Sequence, residues 1–486
     1  MGLQEFLEVV PDPISLIEAM RAVGYSTQSA IADIIDNSIS ANATKIQVEY
    51  DASQSPFVAI LDNGKGMNSR ELTNAMRHGS SNPNDARPVN DLGRFGLGLK
   101  TASLSQCKKL TVVSKQNNEV YARCWDLDYV QQHNKWLVVV PSHNEVISLP
   151  MYQDLLANNS GTLVIWQELD RLMSGSDYPK EEMKIRMRDL IDHLAFVFHR
   201  FTQKEDGIEA VDITANGVKL HNVDPFLTGN SFTQILEGQI IKIHDAHIKV
   251  HPYVLPHMSH LTIDEIMLAG GKDGLRHNQG FYIYRNRRLV IWGTWFRLVP
   301  KEEFFKLTRV KVDIPNSLDH LWALDIKKSA AYPPDVIRNR LKELIPHFAN
   351  TSRTTITYPG RKQKNITFEP IWERTEPSHG SFRYDINLMH PAIMQISELM
   401  NFNDQKNLEF LLKLISSALP LESIYSDLCS DNRNDEEVEE QLIKQLVTLA
   451  KKMIEIAGLS ESDVFELDPL ARYPQYKSRI IKEIAE

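Results

Sequence analysis

Apolar residues recur with a helical period near the start of the chain and with shorter periods after it. Between residues 13 and 41 they return every three or four positions, which predicts a helix that is broken near Gly24. Residues 45–50 alternate between apolar and polar, and residues 57–62 form a short apolar block before a turn. Both segments are therefore predicted strands.

The next elements are marked by capping residues and by glycines. A helix is expected to begin from an N-cap at Ser69 and to stop at Gly79, and a polar, mobile loop is expected over residues 80–91. The glycine-rich segment that follows opens another helix, which runs through Ser105. Beyond it, short apolar blocks predict four strands, at residues 109–115, 119–127, 135–141 and 161–169.

The chain, at 486 residues, is longer than a usual single domain. A charged helix over residues 180–201 is expected to close a first domain, residues 1–205. We expect a second, mixed domain over residues 206–350 and a polar, basic linker over residues 351–379. A mainly helical interaction domain is expected over residues 380–486.

The composition is typical of a soluble, cytoplasmic protein. The net charge of -9 argues against a uniformly basic surface for nucleic acid, although local basic patches stay possible. Three cysteines without metal-like spacing fit a reducing compartment. No apolar run is long enough to span a membrane, and the first residues lack the apolar segment of a signal peptide, so we expect no membrane partner.

The first segment whose residues suggest a binding or catalytic role is the helical stretch at residues 31–41. Asp33 and Asn37 are four positions apart and therefore share one face of the helix. An Asn amide oxygen suits Mg²⁺, which takes oxygen ligands beside substrate phosphates. An acid one turn away is placed to polarise water for attack on a phosphate. The alternative is that these residues form the polar face of an exposed helix.

The second segment, residues 59–67, ends an apolar strand with Asp62. Gly64 and Gly66 follow it, and their missing side chains let a flat ring approach the backbone. The carboxylate can then accept a hydrogen bond from an exocyclic amine, which adenine has and guanine lacks at that position. The alternative is an ordinary Asp-Asn-Gly turn between two strands.

The third segment, residues 93–107, is a candidate phosphate loop. Gly93, Gly96 and Gly98 expose backbone N–H groups, and the helix that follows offers its positive end to anions. Lys100 adds a direct charge. The segment is neither a Walker A loop nor a dinucleotide-binding fingerprint.

Taken in this order, the three segments resemble the GHKL superfamily of ATPases, which includes gyrase B-type topoisomerases, the ninety-kilodalton class of heat-shock chaperones, histidine kinases and MutL. The stretches similar to the N box, the adenine box, the phosphate box and the fourth motif are, in turn, residues 33–37, 62–67, 96–100 and Gly161-Thr162. The sequences of residues 77–83 and 98–103 look closest to the MORC and MutL-like branch and its prokaryotic relatives.

The resemblance implies an α/β (α+β) fold: a Bergerat-type α/β sandwich that binds ATP, then a transducer-like α/β domain and a mainly helical C-terminal region. It implies that Asn37 holds Mg²⁺, that Asp62 reads the adenine amine and that residues 79–95 form a lid over ATP. The full set of implied nucleotide contacts is Asn37, Asp62, Gly64, Gly66, Met67, Ser80, Gly93, Gly96, Leu97, Gly98, Leu99, Lys100 and Thr162.

Catalytic residues are also implied by position. Asp33 stands where the family usually has Glu, and the shorter side chain bears on the hydrolysis rate rather than on nucleotide binding. Residues 325–334 resemble the place where a transducer lysine reaches the γ-phosphate, which makes Lys327 or Lys328 the candidate. The alternative is that both are ordinary surface lysines near a strand end.

A basic hairpin is implied in the second domain. Residues 281–290 look like the transducer hairpin of MutL-like proteins. Its arginines, Arg285, Arg287 and Arg288, are candidate contacts for DNA phosphates, with an ordinary basic turn as the alternative.

The function that the resemblance implies is a nucleotide-gated dimeric clamp that hydrolyses ATP with Mg²⁺. DNA is the expected cargo, in repair, silencing or antiviral defence against foreign DNA. Two alternatives stay open, namely a chaperone-like ATPase that clamps proteins and a nucleotide-sensing adaptor with little turnover. The expected partners are a second copy of the chain, DNA and proteins encoded in the same operon.

Overall fold

A computed structural model describes most of the chain, in two compact units, Met1–Thr354 and Thr355–Glu486. Within the described part, no helix is both long and apolar enough to cross a lipid bilayer. The described residues are 9–79, 92, 98–173, 178–205, 207–243, 246–319, 321–324, 331–357, 370–378, 381–420, 435–457, 459–473 and 476–485.

The first unit contains a seven-stranded mixed sheet in the order β4-β3-β5-β2-β1-β6-β7. Strands β1 and β6 run parallel, and the other neighbouring pairs run antiparallel. The strands are β1 (Lys45–Asp51), β2 (Phe57–Asp62), β3 (Lys109–Gln116), β4 (Glu119–Asp126), β5 (Gly161–Gln167), β6 (Asp212–Ala215) and β7 (Val218–Lys219).

Helices cover both faces of this sheet. The larger apolar core lies on the face that carries α1, α2, α4 and α8. A smaller core, with α6 and α7, covers the other face. The result is the α/β sandwich that the sequence predicts. The helices of this part are α1 (Pro13–Arg21), α2 (Thr27–Ser40), α3 (Ser69–Met76), α4 (Gly98–Leu104), α5 (Leu127–His133), α6 (His143–Ile147), α7 (Tyr152–Ala157) and α8 (Pro179–Val197).

Two local predictions need correction. Helix α3 is capped by Asn68 rather than Ser69. The Asn68 side chain accepts a hydrogen bond from the backbone N–H of Glu71, and the Glu71 carboxylate accepts one from the backbone N–H of Asn68. The apolar block at residues 135–141 is not a strand, since Val139 alone forms an isolated bridge, to Cys124. The predicted loop at residues 80–91 lies outside the described residues.

A second sheet follows in the same unit, in the order β12-β11-β13-β10-β8, with β9 also paired to β10. The long helix α11 (Asp335–Thr357) packs on one face of it through Ile337 and Leu341. The hairpin expected at residues 281–290 is present as β11 and β12. The other elements are β8 (Gln234–Ile235), β9 (Gln239–Ile243), β10 (Ala246–Val254), α9 (Ile263–Gly270), α10 (Gly274–His277), β11 (Gly280–Arg285), β12 (Arg288–Thr294), β13 (Thr308–Ile314), β14 (Ala323–Leu324) and β15 (Ala331–Tyr332).

The second unit is a hairpin followed by helices. Its core is formed by the helices after residue 435, with Ile443, Leu446 and Ile480 at its centre. The predicted linker over 351–379 contains the last turns of α11 and a strand, so part of it is regular structure. The elements are β16 (Trp372–Ser378), β17 (Ser381–Ile386), α12 (Pro391–Glu398), α13 (Phe402–Ser417), α14 (Asp435–Ala457), α15 (Glu461–Val464) and α16 (Lys477–Ala485).

Candidate functional site

Helix α2 carries the first motif with its two acids inside and its amide outside. Asp33 is 5% exposed and Asp36 is 1% exposed, whereas Asn37 is exposed. The alternative of a solvated polar face is therefore wrong for both carboxylates. Asn37 lies on the side of the helix that is open to solvent.

Asp33 lies against the start of α4, so the first and third motifs meet in space. A Cβ atom added to Gly98 would lie 3.6 Å from Oδ2 of Asp33, which is an ordinary van der Waals contact. The hydroxyl of Tyr25 donates to the same Oδ2 atom over 2.9 Å. Tyr25 was not singled out from the sequence, and an aromatic residue just before an N-cap carries no signal that would reveal it.

Asp62 is the centre of the second motif and is almost fully buried. Its Oδ1 atom accepts the backbone N–H groups of Gly64 at 2.8 Å and of Thr162 at 3.2 Å. Its Oδ2 atom accepts the hydroxyl of Ser38 at 2.8 Å. Burial raises the pKa of the Asp62 carboxyl, and these three hydrogen bonds act in the opposite direction. A simple Asp-Asn-Gly turn explains only the hydrogen bond from Gly64. The additional donors from α2 and β5 converge on the same carboxylate, which a local turn does not require.

The glycines of this motif allow backbones to approach each other. Gly66 has a φ of +65°, and a Cβ atom there would lie 2.0 Å from the carbonyl oxygen of Lys115. A Cβ atom on Gly64 would lie 2.9 Å from that of Ala41. The turn is thereby pressed between the end of α2 and strand β3.

Ser114 links the remaining predicted positions of the adenine motif. Its hydroxyl accepts the backbone N–H of Met67 at 2.9 Å and lies 3.0 Å from Oγ1 of Thr162. It also bonds the carbonyl of Gly161 at 3.0 Å. Met67 and Thr162 are therefore held beside Asp62 by a residue that sequence reasoning did not identify.

Lys100 is buried at 1% exposure, and its ammonium group donates to the carbonyl of Ala75 at 2.8 Å. Burial lowers the pKa of Lys100 to about 8. The pKa of neighbouring His78 falls to about 4, through burial and then through the charge of Lys100. Leu99 is half-buried against the main core. Lys100 thus ties α4 to the end of α3, directly before the predicted lid.

Several predicted site residues lie outside the described residues, so their roles stay predictions. Of the predicted lid, residues 79–95, only Gly79 and Leu92 are described. The predicted site residues outside the described part are Ser80, Gly93, Gly96, Leu97, Lys327 and Lys328.

The arginines of the β11–β12 hairpin face the interior. Arg285 pairs with Asp319 at 2.6 Å, and Arg288 pairs with Asp36 at 3.0 Å, with both arginine side chains buried. Arg287 pairs with Glu205 at 3.4 Å. The interpretation of Arg285 and Arg288 as contacts for DNA phosphates is therefore wrong, because their charges are already neutralised inside the first unit.

Comparison with known proteins gives a family and distant relatives. Residues 25–162 match the model of the histidine kinase-, DNA gyrase B- and HSP90-like ATPase family. The chain is 27% identical over 154 residues to the DNA mismatch repair protein MutL of Shewanella sediminis, which is 31% of this chain and 24% of that protein. With MutL of Thermosipho africanus it shares 29% over 93 residues, 19% of this chain and 16% of that protein.

The matches thus span a quarter or less of these curated relatives. Among solved structures, the N terminal domain of a DNA repair protein aligns with 69% of this chain and 98% of its own, at 16% identity and a TM-score of 0.42. The family match begins at Tyr25 and ends at Thr162, so it includes α2, the Asp62 turn and α4. Through this interval, residues 25–162, the chain is similar to the GHKL superfamily of ATPases.

Proposed function

We propose that this chain binds ATP with Mg²⁺ between α2, the Asp62 turn and α4, and hydrolyses it to gate a dimeric clamp that closes on DNA. The observation that carries the proposal is the buried carboxylate of Asp62, held by donors from three separate elements. A carboxylate offers about four acceptor positions, and the protein donors use three of them. The remaining one suits the exocyclic amine of adenine.

The residues of α2 fit the chemistry of the phosphate end. Asn37 has a neutral oxygen at the exposed side of the helix, as a ligand of hydrated Mg²⁺ requires. Asp33, oriented by Tyr25, lies one turn away and is our candidate for holding the attacking water. The bound ion would offset phosphate charge, and the protein contributes the orientation of these two side chains.

A DNA-directed role is supported by basic residues of the second sheet and by the MutL relatives, which are named as mismatch repair proteins. We define the basic strip as the exposed Lys242, His247 and Lys249 together with the half-buried Lys311. His247 lies opposite Lys242 in the β9–β10 pair, and Lys311 lies opposite His251 in the β10–β13 pair. We assign the phosphate contacts to this strip in place of the hairpin arginines.

The test is nucleotide binding and turnover by the purified chain. Asp33→Asn should retain binding of a non-hydrolysable ATP analogue while multiple-turnover hydrolysis falls by at least about a hundredfold. Asn37→Ala should weaken binding of the Mg²⁺–analogue complex by about tenfold or more, with less effect when Mg²⁺ is omitted. Light scattering should show a dimer only with the analogue.

Two outcomes would redirect the proposal. Binding without measurable turnover in the unsubstituted chain would favour the nucleotide-sensing adaptor, which the short side chain of Asp33 makes the second candidate. Unchanged analogue affinity in Asn37→Ala would contradict the metal assignment.

A further inference from the structure

We propose that the turn joining β11 and β12 couples the nucleotide site to the second sheet, with Arg288 and Arg285 as its positioning residues. The inference rests on the proposed ATP-dependent function, and it adds to that function the path by which the second sheet senses the nucleotide. The two arginines lie three positions apart along the chain and reach two different parts of the predicted site.

Arg288 holds the motif helix itself. Its Nε atom donates to Oδ1 of Asp36 over 3.0 Å, and both side chains are buried. Its guanidinium group also stacks 4.4 Å from the ring centroid of Phe198. Asp36 directly precedes Asn37, so any shift or rotation of α2 that follows ion binding must move Asp36 or break its pair with β12.

Arg285 contacts Leu92, which directly precedes the glycine-rich segment in sequence. One of its terminal nitrogens donates to the carbonyl of Leu92 over 2.8 Å. The other nitrogens of its guanidinium bond both oxygens of Asp319, which follows β13. Leu92 lies within the predicted lid and is 2% exposed, so Arg285 joins this one residue to the second sheet inside the core.

These contacts close a ring of hydrogen bonds. The backbone N–H of Leu92 donates to the hydroxyl of Ser40 over 3.1 Å. That hydroxyl donates to the carbonyl of Asp36 over 2.8 Å, and the side chain of Asp36 accepts from Arg288. The ring therefore runs from Arg285 through Leu92 and α2 back to the same turn. Because breaking a buried ion pair leaves a charge without compensation, Leu92, α2 and the hairpin are held in one arrangement.

The test compares ATP turnover with hydrogen exchange of the second sheet. In the unsubstituted chain, the ATP analogue should slow exchange in β11 and β13. Arg288→Lys keeps the charge but loses the planar geometry. We expect it to leave the KM for ATP within about threefold, to lower kcat by about tenfold and to abolish the slowing in β11 and β13. Arg285→Lys is a second variant, expected to give the same loss.

Arg309→Met is the matched control. Arg309 is a buried arginine of β13 whose guanidinium bonds the carbonyls of Ala269 and Leu275 within the same part of the unit. It should keep the analogue-induced slowing even where it lowers the melting temperature. The coupling role is wrong if both lysine variants retain the slowing, or if Arg309→Met loses it equally. An unsubstituted chain that does not bind the analogue would instead contradict the proposed function.

Discussion

The hydroxyl of Tyr25 fixes the direction of the Asp33 carboxylate. An aspartate reaches one methylene less far than the glutamate that the family usually has at this position. Gly98, at the start of α4, lies beside this carboxylate. In the proposed mechanism, Asp33 holds the attacking water near the start of α4.

Lys100 gives the proposed site a defined pH dependence. Burial lowers the pKa of Lys100 to about 8 in the folded, ligand-free chain. If its ammonium contacts the phosphates, bound ATP raises that pKa. Affinity for ATP should therefore be highest below pH 8 and should fall as the pH rises above 8, by up to about tenfold per unit. Titrations of ATP binding between pH 7 and 10 measure this trend.

The stability of the ligand-free chain should show the opposite trend. The unfolded state keeps the ordinary lysine pKa of 10.5, so between about pH 8 and 10.5 it binds more protons than the folded state. The contribution of Lys100 to the free energy of unfolding then increases with pH over that window. Lys100→Met should flatten both trends, and a variant that retains the loss of ATP affinity above pH 8 would assign that loss to another group.

At the scale of elements, the periods of the sequence were sufficient to predict α2 and β2, and the family resemblance predicted the β11–β12 hairpin. They were not sufficient to predict what covers them. The spacing of Asp33, Asp36 and Asn37 predicts one polar face, but Asp36 is buried by Arg288, a residue 252 positions later in the chain. The burial of the hairpin arginines was missed for the same reason. A basic turn on the surface and a basic turn whose arginines pair with internal carboxylates have the same local sequence.

The Asp62 turn is the element whose backbone is most constrained. Gly66→Ala adds a Cβ atom at positive φ and 2.0 Å from the carbonyl oxygen of Lys115, so the turn must move away from β3. We expect a loss of about 2–3 kcal/mol in the free energy of unfolding and a loss of ATP affinity. Urea unfolding and analogue binding measure the two effects.

Gly217→Ala is the matched control for that substitution. Gly217 has a φ of +75° in the β6–β7 turn, and a Cβ atom there meets nothing within 4 Å. It should cost about 1 kcal/mol from the left-handed backbone alone and leave ATP affinity unchanged. Equal losses of unfolding free energy in the two variants would mean that the close approach to Lys115 does not destabilise Gly66→Ala.

At the scale of the whole molecule, partly buried ion pairs connect the two sheets of the first unit. Arg200, just after α8, pairs with Asp313 of β13 and with Glu205, and its guanidinium lies 4.8 Å from the ring of Tyr284. Such pairs connect residues far apart in sequence, and no local pattern predicts them. The domain boundary expected at residue 205 stays a prediction, although strands β6 and β7, which follow it, belong to the first sheet.

The basic strip predicts how DNA binding by the proposed clamp depends on salt concentration. If Lys242, Lys249 and Lys311 contact DNA phosphates, the logarithm of DNA affinity should fall with the logarithm of salt concentration. Each lysine-to-alanine substitution should reduce that slope by about 1. Lys184→Ala, at an exposed position of α8, is the control and should leave the slope unchanged.

The clamp geometry itself is tested by the shape of the DNA. With the ATP analogue present, closed circular DNA should stay bound when the salt concentration is raised, because a closed ring cannot slide out of a dimer that encircles it. Linearising the same DNA should release it. Retention of both forms at high salt would indicate tight contact without encirclement. Suppression of client aggregation without any DNA binding at low salt would favour the protein-clamping alternative.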